Sequence, residues 1–187
     1  MLRAVFCLLL ALGAPPAQAA AWRLDPETQV VVDVPWRGSD VAVRFPDLQG
    51  EVTFDETAPE TARARIEASA AGAETGVGVV NALIRSPGYL DAEAFPVIAF
   101  QLDRLRRLSK STARVEGRLT LRGVTRPLAL DAQVFRYGPD PADPGRFQAG
   151  FDLTGSIDRT EFGSTGGLPE VPARLDLRIR LVMSAAQ

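Results

Sequence analysis

Residues 113–134 read Ala-Arg-Val-Glu-Gly-Arg-Leu-Thr-Leu-Arg-Gly-Val-Thr-Arg-Pro-Leu-Ala-Leu-Asp-Ala-Gln-Val. Ala113, Val115, Gly117, Leu119 and Leu121 alternate with Arg114, Glu116, Arg118, Thr120 and Arg122. A period of two places the first set on one face of a strand and the charged set on the other. Gly123 and Pro127 bracket a reversal, because glycine accepts dihedrals that other residues avoid and proline lacks the donor a ladder needs. Leu128, Leu130, Ala132 and Val134 then resume the alternation. The stretch is a hairpin with one apolar and one wet face, and its pattern recurs along the chain.

Working outward, Trp22 to Asp25 opens a strand that Pro26 ends, and Thr28 to Val34 is β-branched and strand-like. Val41, Val43 and Phe45 alternate, as do Val52 and Phe54. Ala62, Ala64, Ile66, Ala68 and Ala70 alternate with Arg63, Arg65, Glu67 and Ser69. Alanine content favours a helix there, but the strict period of two predicts a strand. Between Glu74 and Asp91 the period changes: Val79, Val80, Leu83 and Ile84 have helical spacing, and Ser86-Pro87-Gly88 ends the run. Ile98, Phe100 and Leu102 share a strand face, then Phe147, Ala149, Phe151 and Leu153, then Leu175, Leu177, Ile179 and Leu181. Residues 138–145 read as a loop, and residues 155–172 as an irregular stretch. About eight amphipathic strands joined by short turns predict an all-β protein, an antiparallel barrel with one or two short helices.

The chain has 187 residues, enough for one domain with a real core. A net charge of −2 argues against a nucleic-acid partner. Lys110 is the only lysine, and the arginines spread along the wet faces of strands. Arg3, the apolar run Ala4 to Gly13 and the small-x-small site Ala17-Gln18-Ala19 have the form of a signal peptide over residues 1–19. Export to the periplasm is the expectation, with residues 20–187 as the mature domain. That domain has no histidine, and the single cysteine, Cys7, precedes it. Disulfides, thiol nucleophiles and zinc sites of the usual kind are excluded, and no metal or cofactor is expected.

Function depends on what the barrel encloses. Ala62, Ala64, Ala68, Ala70, Ala113, Gly117, Ala132 and Ala149 make the inward set unusually small, and Phe45, Phe54, Phe100, Phe147 and Phe151 add aromatic walls. Either the lumen is an apolar cavity, or large residues on facing strands fill the gaps; the small residues favour the cavity. The expected lining is Phe45, Phe54, Ile66, Phe100, Leu119, Leu121, Val134, Phe151, Leu177 and Ile179. Trp36 either gates the mouth or covers the barrel end. Arg159, beside Glu161, is expected in a structural ion pair, the other reading being contact with a ligand head group. Asp152, Asp158 and Glu161 could serve acid–base chemistry, but no other catalytic group accompanies them; Asp152 is expected on the wet face and Asp158 to order the loop after it. Gly163 to Gly167 lacks the lysine of a phosphate-binding loop.

Residues 115–127 resemble the central signature of the YceI-like family. Ile84-Arg85-Ser86, Tyr89-Leu90-Asp91 and Phe95-Pro96-Val97-Ile98-Ala99-Phe100 resemble its helix-to-strand segment, and Ile157-Asp158-Arg159-Thr160-Glu161-Phe162-Gly163 its late Arg-x-x-Phe-Gly motif. Trp22, Leu24 and Asp25, and Phe45 with Gly50, match its opening strands. The resemblance implies an extended lipocalin-like barrel, residence in the periplasm and a long apolar ligand: a polyisoprenoid or isoprenoid quinone, or a fatty acid or fatty amide. With no further catalytic group beside the late carboxylates, the expectation is a non-enzymatic carrier. A filled-barrel interaction protein serving a membrane-protein partner, and a carboxylate-dependent hydrolase or isomerase, are the alternatives; a homodimer is left open. Two departures stand out. Pro35, Trp36 and Val43 occupy a region where the family often has a His and a Gly, and Gly88 stands where an acidic residue is common.

Overall fold

The computed structural model describes residues 20–143 and 145–186. The expected signal segment, residues 1–19, lies outside the described residues. Among the described residues ten strands form one antiparallel sheet: β1 (Ala20–Leu24), β2 (Gln29–Trp36), β3 (Ser39–Phe45), β4 (Leu48–Phe54), β5 (Arg63–Ser69), β6 (Val97–Arg107), β7 (Thr112–Leu121), β8 (Val124–Pro139), β9 (Arg146–Asp158) and β10 (Arg174–Ala186). Among the described residues there is one α-helix, α1 (Gly78–Arg85), accompanied by 3-10 turns at Pro59–Thr61 and Arg159–Phe162. The alternation therefore prevails over alanine propensity in β5, as the period predicts.

The sheet is an eight-stranded barrel. β1 pairs with both β4 and β10, so the ring β1-β4-β5-β6-β7-β8-β9-β10 closes on itself. The hairpin β2–β3 extends that ring upward, with β2 paired to residues 176–180 of β10. β1 and β2 are thus two halves of one long stave, broken at Asp25 to Thr28, and β3 and β4 are halves of the next. The break in the first stave is pinned by Thr28, whose hydroxyl donates to the Val182 carbonyl at 2.7 Å and accepts from the Val182 N–H at 3.1 Å. Asp25 anchors the same bend, accepting from Arg146 Nη2 at 2.8 Å, Gln148 Nε2 at 3.0 Å and the Ser184 hydroxyl at 2.9 Å. A side-chain hydroxyl here replaces ladder bonds that a kinked backbone cannot make.

The β7–β8 reversal is tighter than Gly123 and Pro127 suggest. It is a two-residue turn at Arg122 and Gly123, with φ of 51° and 71°. Two positive φ angles match the right-handed strand twist. Pro127 lies inside β8, paired with Arg118 of β7 on a stretch where β9 does not pair, since the β8–β9 ladder begins at Asp131. No ladder bond is lost there. The expected irregular stretch also begins later, because β9 continues through Gly155 to Asp158. Gly155 is a close-approach residue: a Cβ there would stand 2.6 Å from Leu130 Cδ2.

Aromatic side chains close part of one end. Trp22, Tyr137 and Phe147 pack edge-on or tilted, with ring centroids 4.7–6.5 Å apart, and Trp22 Nε1 donates to the Phe54 carbonyl at 3.0 Å. Met183, at 2% exposure, and fully buried Ala149 complete this plug. Phe147 and Ala149, expected on the cavity wall, belong to the plug instead: period two says which side a residue faces, not how far along the axis it lies. At the opposite end the chain after β5 covers the edge of β3 through reciprocal backbone bonds between Arg44 and Glu74, at 2.8 and 2.9 Å, and leads into α1. On the outer wall Arg114–Asp131, Arg118–Asp103 and Arg180–Asp152 pair across strands at 2.6–2.9 Å. These exposed pairs keep the wall wet and contribute little stability each.

A Cβ at Gly117 would collide with the Gln101 carbonyl oxygen and stand 2.5 Å from Phe100 Cζ, so Gly117→Ala should cost about 1–3 kcal/mol and lower Tm by roughly 3–10 °C in calorimetry. Gly138→Ala, where a Cβ would meet nothing within 4 Å, is the control and should leave Tm nearly unchanged. Partial loss of hydration at the edge of the plug, reinforced by the charge of Glu56, pushes the Tyr137 hydroxyl up to about 12. An ultraviolet alkaline titration should therefore resolve one late-ionising tyrosine that Tyr137→Phe removes. Because the folded pKa lies above the unfolded one, this contribution to stability is complete below pH ~10 and is lost between about 10 and 12.

Candidate ligand cavity

The barrel encloses a cavity of about 440 Å³. Its walls come from every stave except at the plug. Val30, Val32 and Val34 of β2, Val43 and Phe45 of β3, and Val52 and Phe54 of β4 contribute on one side; Val115 and Leu119 of β7 and Leu177 and Ile179 of β10 contribute on others. The reason it is hollow is local. Ala62 just before β5, Ala64 and Ala68 on it, Ala113 on β7 and Ala132 on β8 face the lumen with one methyl each. Gly117 has no side chain to project, and its place is taken by the Phe100 ring lying against its Cα. An eight-stranded barrel is about wide enough for side chains to fill or for one small ligand to occupy. Removing side-chain volume from three of the eight staves selects the second outcome.

The ten residues expected on the lining, Phe45, Phe54, Ile66, Phe100, Leu119, Leu121, Val134, Phe151, Leu177 and Ile179, all lie on the wall of this one cavity. So do Trp36 and Arg159. The filled-barrel alternative fails on this geometry. The wall also includes residues that strand periodicity does not identify. Val80, Leu83 and Ile84 of α1, with Tyr89 and Leu90 after it, form the roof at the β2–β3 end. At the other end the cavity reaches Ser109, Lys110 and Thr112 on the β6–β7 hairpin, the side that the aromatic plug leaves open. Helical spacing at Val79 to Ile84 was the available signal for the roof, but the sequence carries none for which strands α1 spans.

Each end has its own chemistry. At the roof end the rim is apolar: Trp36 is 43% exposed, and Leu83 and Val79 are exposed on α1. The Arg37 guanidinium sits 5.2 Å from the Trp36 ring centroid. Below this rim lies Arg159, only 3% exposed. Its expected ion pair with Glu161 does not form. The 3-10 turn directs Glu161 to solvent, while Arg159 turns inward and donates from Nε to the Pro172 carbonyl at 2.9 Å, from Nη1 to the Ser164 carbonyl at 3.0 Å and from Nη2 to the Val171 carbonyl at 2.7 Å. Asp158 caps that turn, accepting from the Thr160 N–H at 2.9 Å. The bond from the Thr160 hydroxyl, and then this one from its N–H, hold the Asp158 carboxyl below the usual range.

Tyr89 stands against Arg159, with the guanidinium 5.9 Å from its ring centroid. Its backbone is held by Arg122, which donates to the carbonyls of Pro87 at 2.7 Å and Tyr89 at 3.0 Å. The glycines at 163–167 have a structural purpose here. A Cβ at Gly166 would stand 2.6 Å from Tyr89 Cε2 and 2.8 Å from the Gly88 carbonyl, so only glycine lets this loop close over the tyrosine. Of the candidate acid–base residues, Asp152 lies on the outer wall with Arg180, and Asp158 and Glu161 are exposed; none lines the cavity.

Comparison with known proteins adds the following. The UPF0312 protein of Pseudomonas fluorescens is 34% identical over 140 residues, 72% of this chain and 70% of that protein. Two solved structures share the fold at low identity. Burkholderia cenocepacia BcnA superposes with a TM-score of 0.76 at 18% identity, covering 85% of this chain and 98% of its own. A polyisoprenoid binding domain from Saccharophagus degradans, implicated in plant cell wall breakdown, superposes with a TM-score of 0.68 at 14% identity, covering 89% and 99%. The sequence model of the YceI-like domain matches residues 22–184, nearly the whole described barrel, and this chain belongs to the YceI-like family.

Proposed function

We propose that this protein is an exported, non-enzymatic binding protein that sequesters or carries one long apolar molecule inside its barrel. The observation that carries the reading is the cavity itself, walled by aliphatic and aromatic side chains and running from the roof of α1 to the β6–β7 hairpin. β7 alone has 10 residues; at ~3.3 Å per residue and a barrel tilt of ~40° it covers roughly 25 Å of axis. A lumen of that length suits a chain rather than a compact metabolite. Each buried methylene contributes about 0.8 kcal/mol, so a long chain binds without directed polar contacts. The polyisoprenoid-binding relative in the same fold supports an isoprenoid as the ligand class, and an isoprenoid quinone or a fatty acid or amide fits the same tube.

The outward placement of Asp152, Asp158 and Glu161 supports a carrier over a hydrolase or isomerase. The positive, apolar and small-x-small order of residues 3–19 supports export to the periplasm. A membrane-protein partner for loading and unloading is part of the same reading, with the apolar rim around Trp36 facing it.

Filling the lumen is the direct test. In the double variant Ala64→Phe/Ala113→Phe two methyl groups of the wall become rings inside the cavity. Displacement of the fluorescent apolar probe N-phenyl-1-naphthylamine by farnesol or a longer polyprenol should weaken at least tenfold, with Tm little changed. Unaltered binding by a folded double variant would place the ligand elsewhere and defeat the proposal. Amino-terminal sequencing of protein recovered from the periplasm should begin at Ala20; an intact Met1 terminus would contradict export by cleavage.

A further inference from the structure

The cavity has a charge pattern that its apolar walls conceal. Its charged lining residues are Arg107, Lys110 and Arg159, and among the described residues no Asp or Glu lines it. The chain as a whole carries 23 acidic and 21 basic groups, so an all-cationic set of lining charges does not follow from composition. The three differ in setting. Arg107 and Lys110 are exposed on the β6–β7 hairpin, where water screens them, and Arg107 also donates to the Glu56 carbonyl. Arg159 is buried, and none of the ion pairs among the described residues includes it. Three backbone carbonyls hold its guanidinium rigidly, but they supply dipoles and no countercharge. A guanidinium has five N–H donors, so further donor capacity is left, with the Ser164 hydroxyl making only a long contact at 3.5 Å. Loss of hydration lowers its pKa, while Tyr89 and Asp158 oppose the shift.

We propose that Arg159, with Ser164 and Tyr89 beside it on the same wall, forms a head-group subsite for an anionic amphiphile. The ligand would carry a carboxylate or phosphate under the α1 roof and extend its apolar tail toward the β6–β7 hairpin. This rests on the cavity-binding reading above and narrows it from any long apolar chain to one with an acidic end. The physical reason is that a buried cation without a partner is costly, and an anion placed on it gains a charge-assisted hydrogen bond in a medium that screens little. Arg159 already has fixed geometry, so the head group meets a preorganised donor.

The test compares oleate, oleyl phosphate, oleyl alcohol and methyl oleate as competitors of N-phenyl-1-naphthylamine on the delipidated protein at pH 8. At least one of the two anions should bind about tenfold more tightly than the alcohol and the ester; the tighter anion identifies the head group. Arg159→Gln should reduce that ratio to about one while leaving the alcohol unaffected, and Arg118→Gln on the outer wall should preserve it. Equal binding of anions and alcohol to the unmodified protein overturns the subsite but leaves the cavity reading standing. Failure of all four competitors and the probe to bind defeats the cavity reading itself. An anion preference that survives Arg159→Gln, or that is lost only in Arg107→Gln/Lys110→Gln, overturns the assignment to Arg159. A measurement free of variants covers the case in which Arg159→Gln does not fold: carboxyl-13C oleate bound to the unmodified protein should titrate at lower pH than bound to albumin-free micelles, and titration at equal or higher pH overturns the proposal.

Discussion

Two backbone pairings, Arg23 with Ser184 and Leu24 with Met183, join the first strand to the last and make the sheet a tube. Most of what the molecule presents follows from that closure. A closed sheet leaves few free edges, so the outer face can carry charge and the inner face can stay apolar without inviting association. Closure also sets the lumen width, because eight staves at a normal tilt enclose a fixed cross-section. The side chains on the inner face then decide whether the space is filled. At the β1 end they fill part of it, where Trp22, Met183, Phe147 and Tyr137 pack together from the neighbouring staves β1, β10, β9 and β8. Along β5, β7 and β8 they do not, because alanine and glycine occupy inward positions.

The kinks in the first two staves shape the opposite end. Breaking the first stave at Asp25 to Thr28 and the second between Phe45 and Leu48 lets the β2–β3 hairpin rise beyond the ring, while α1 spans the gap between β3 and β6. The roof is therefore built from a helix and a hairpin tip and not from ladder. Such elements have fewer shared backbone bonds than the staves beneath, so local opening costs less there. The buried Arg159 lies beneath this roof, whose own residues Trp36, Val79 and Leu83 form the apolar rim.

Alternation alone was enough to read the barrel, since ten inward residues named from a period of two all stand on one wall. It was enough even at β5, where composition argued for a helix. Three features escaped it for identifiable reasons. Gly155 looked like a breaker, but its glycine answers to Leu130 on the neighbouring stave, a contact that no local window contains. Phe147 and Ala149 have the phase of lining residues but sit at the plugged end, because phase carries no information on depth. Local sequence suggests Glu161 as the partner of Arg159; its donors instead reach carbonyls 5, 12 and 13 residues onward, brought near by the Gly-rich loop. The helix was legible from spacing, but its placement over the mouth was not.

Carriage of a ligand requires a lumen vacant of protein and sized for a chain. Native mass spectrometry of the protein recovered from its own cells in mild detergent-free buffer tests this most directly. A second charge-state series should appear, heavier than the mature chain by one lipid at one-to-one stoichiometry, and collisional activation should release that lipid. A single series at the bare polypeptide mass across independent preparations, with no uptake after incubation with long-chain lipids, would contradict it.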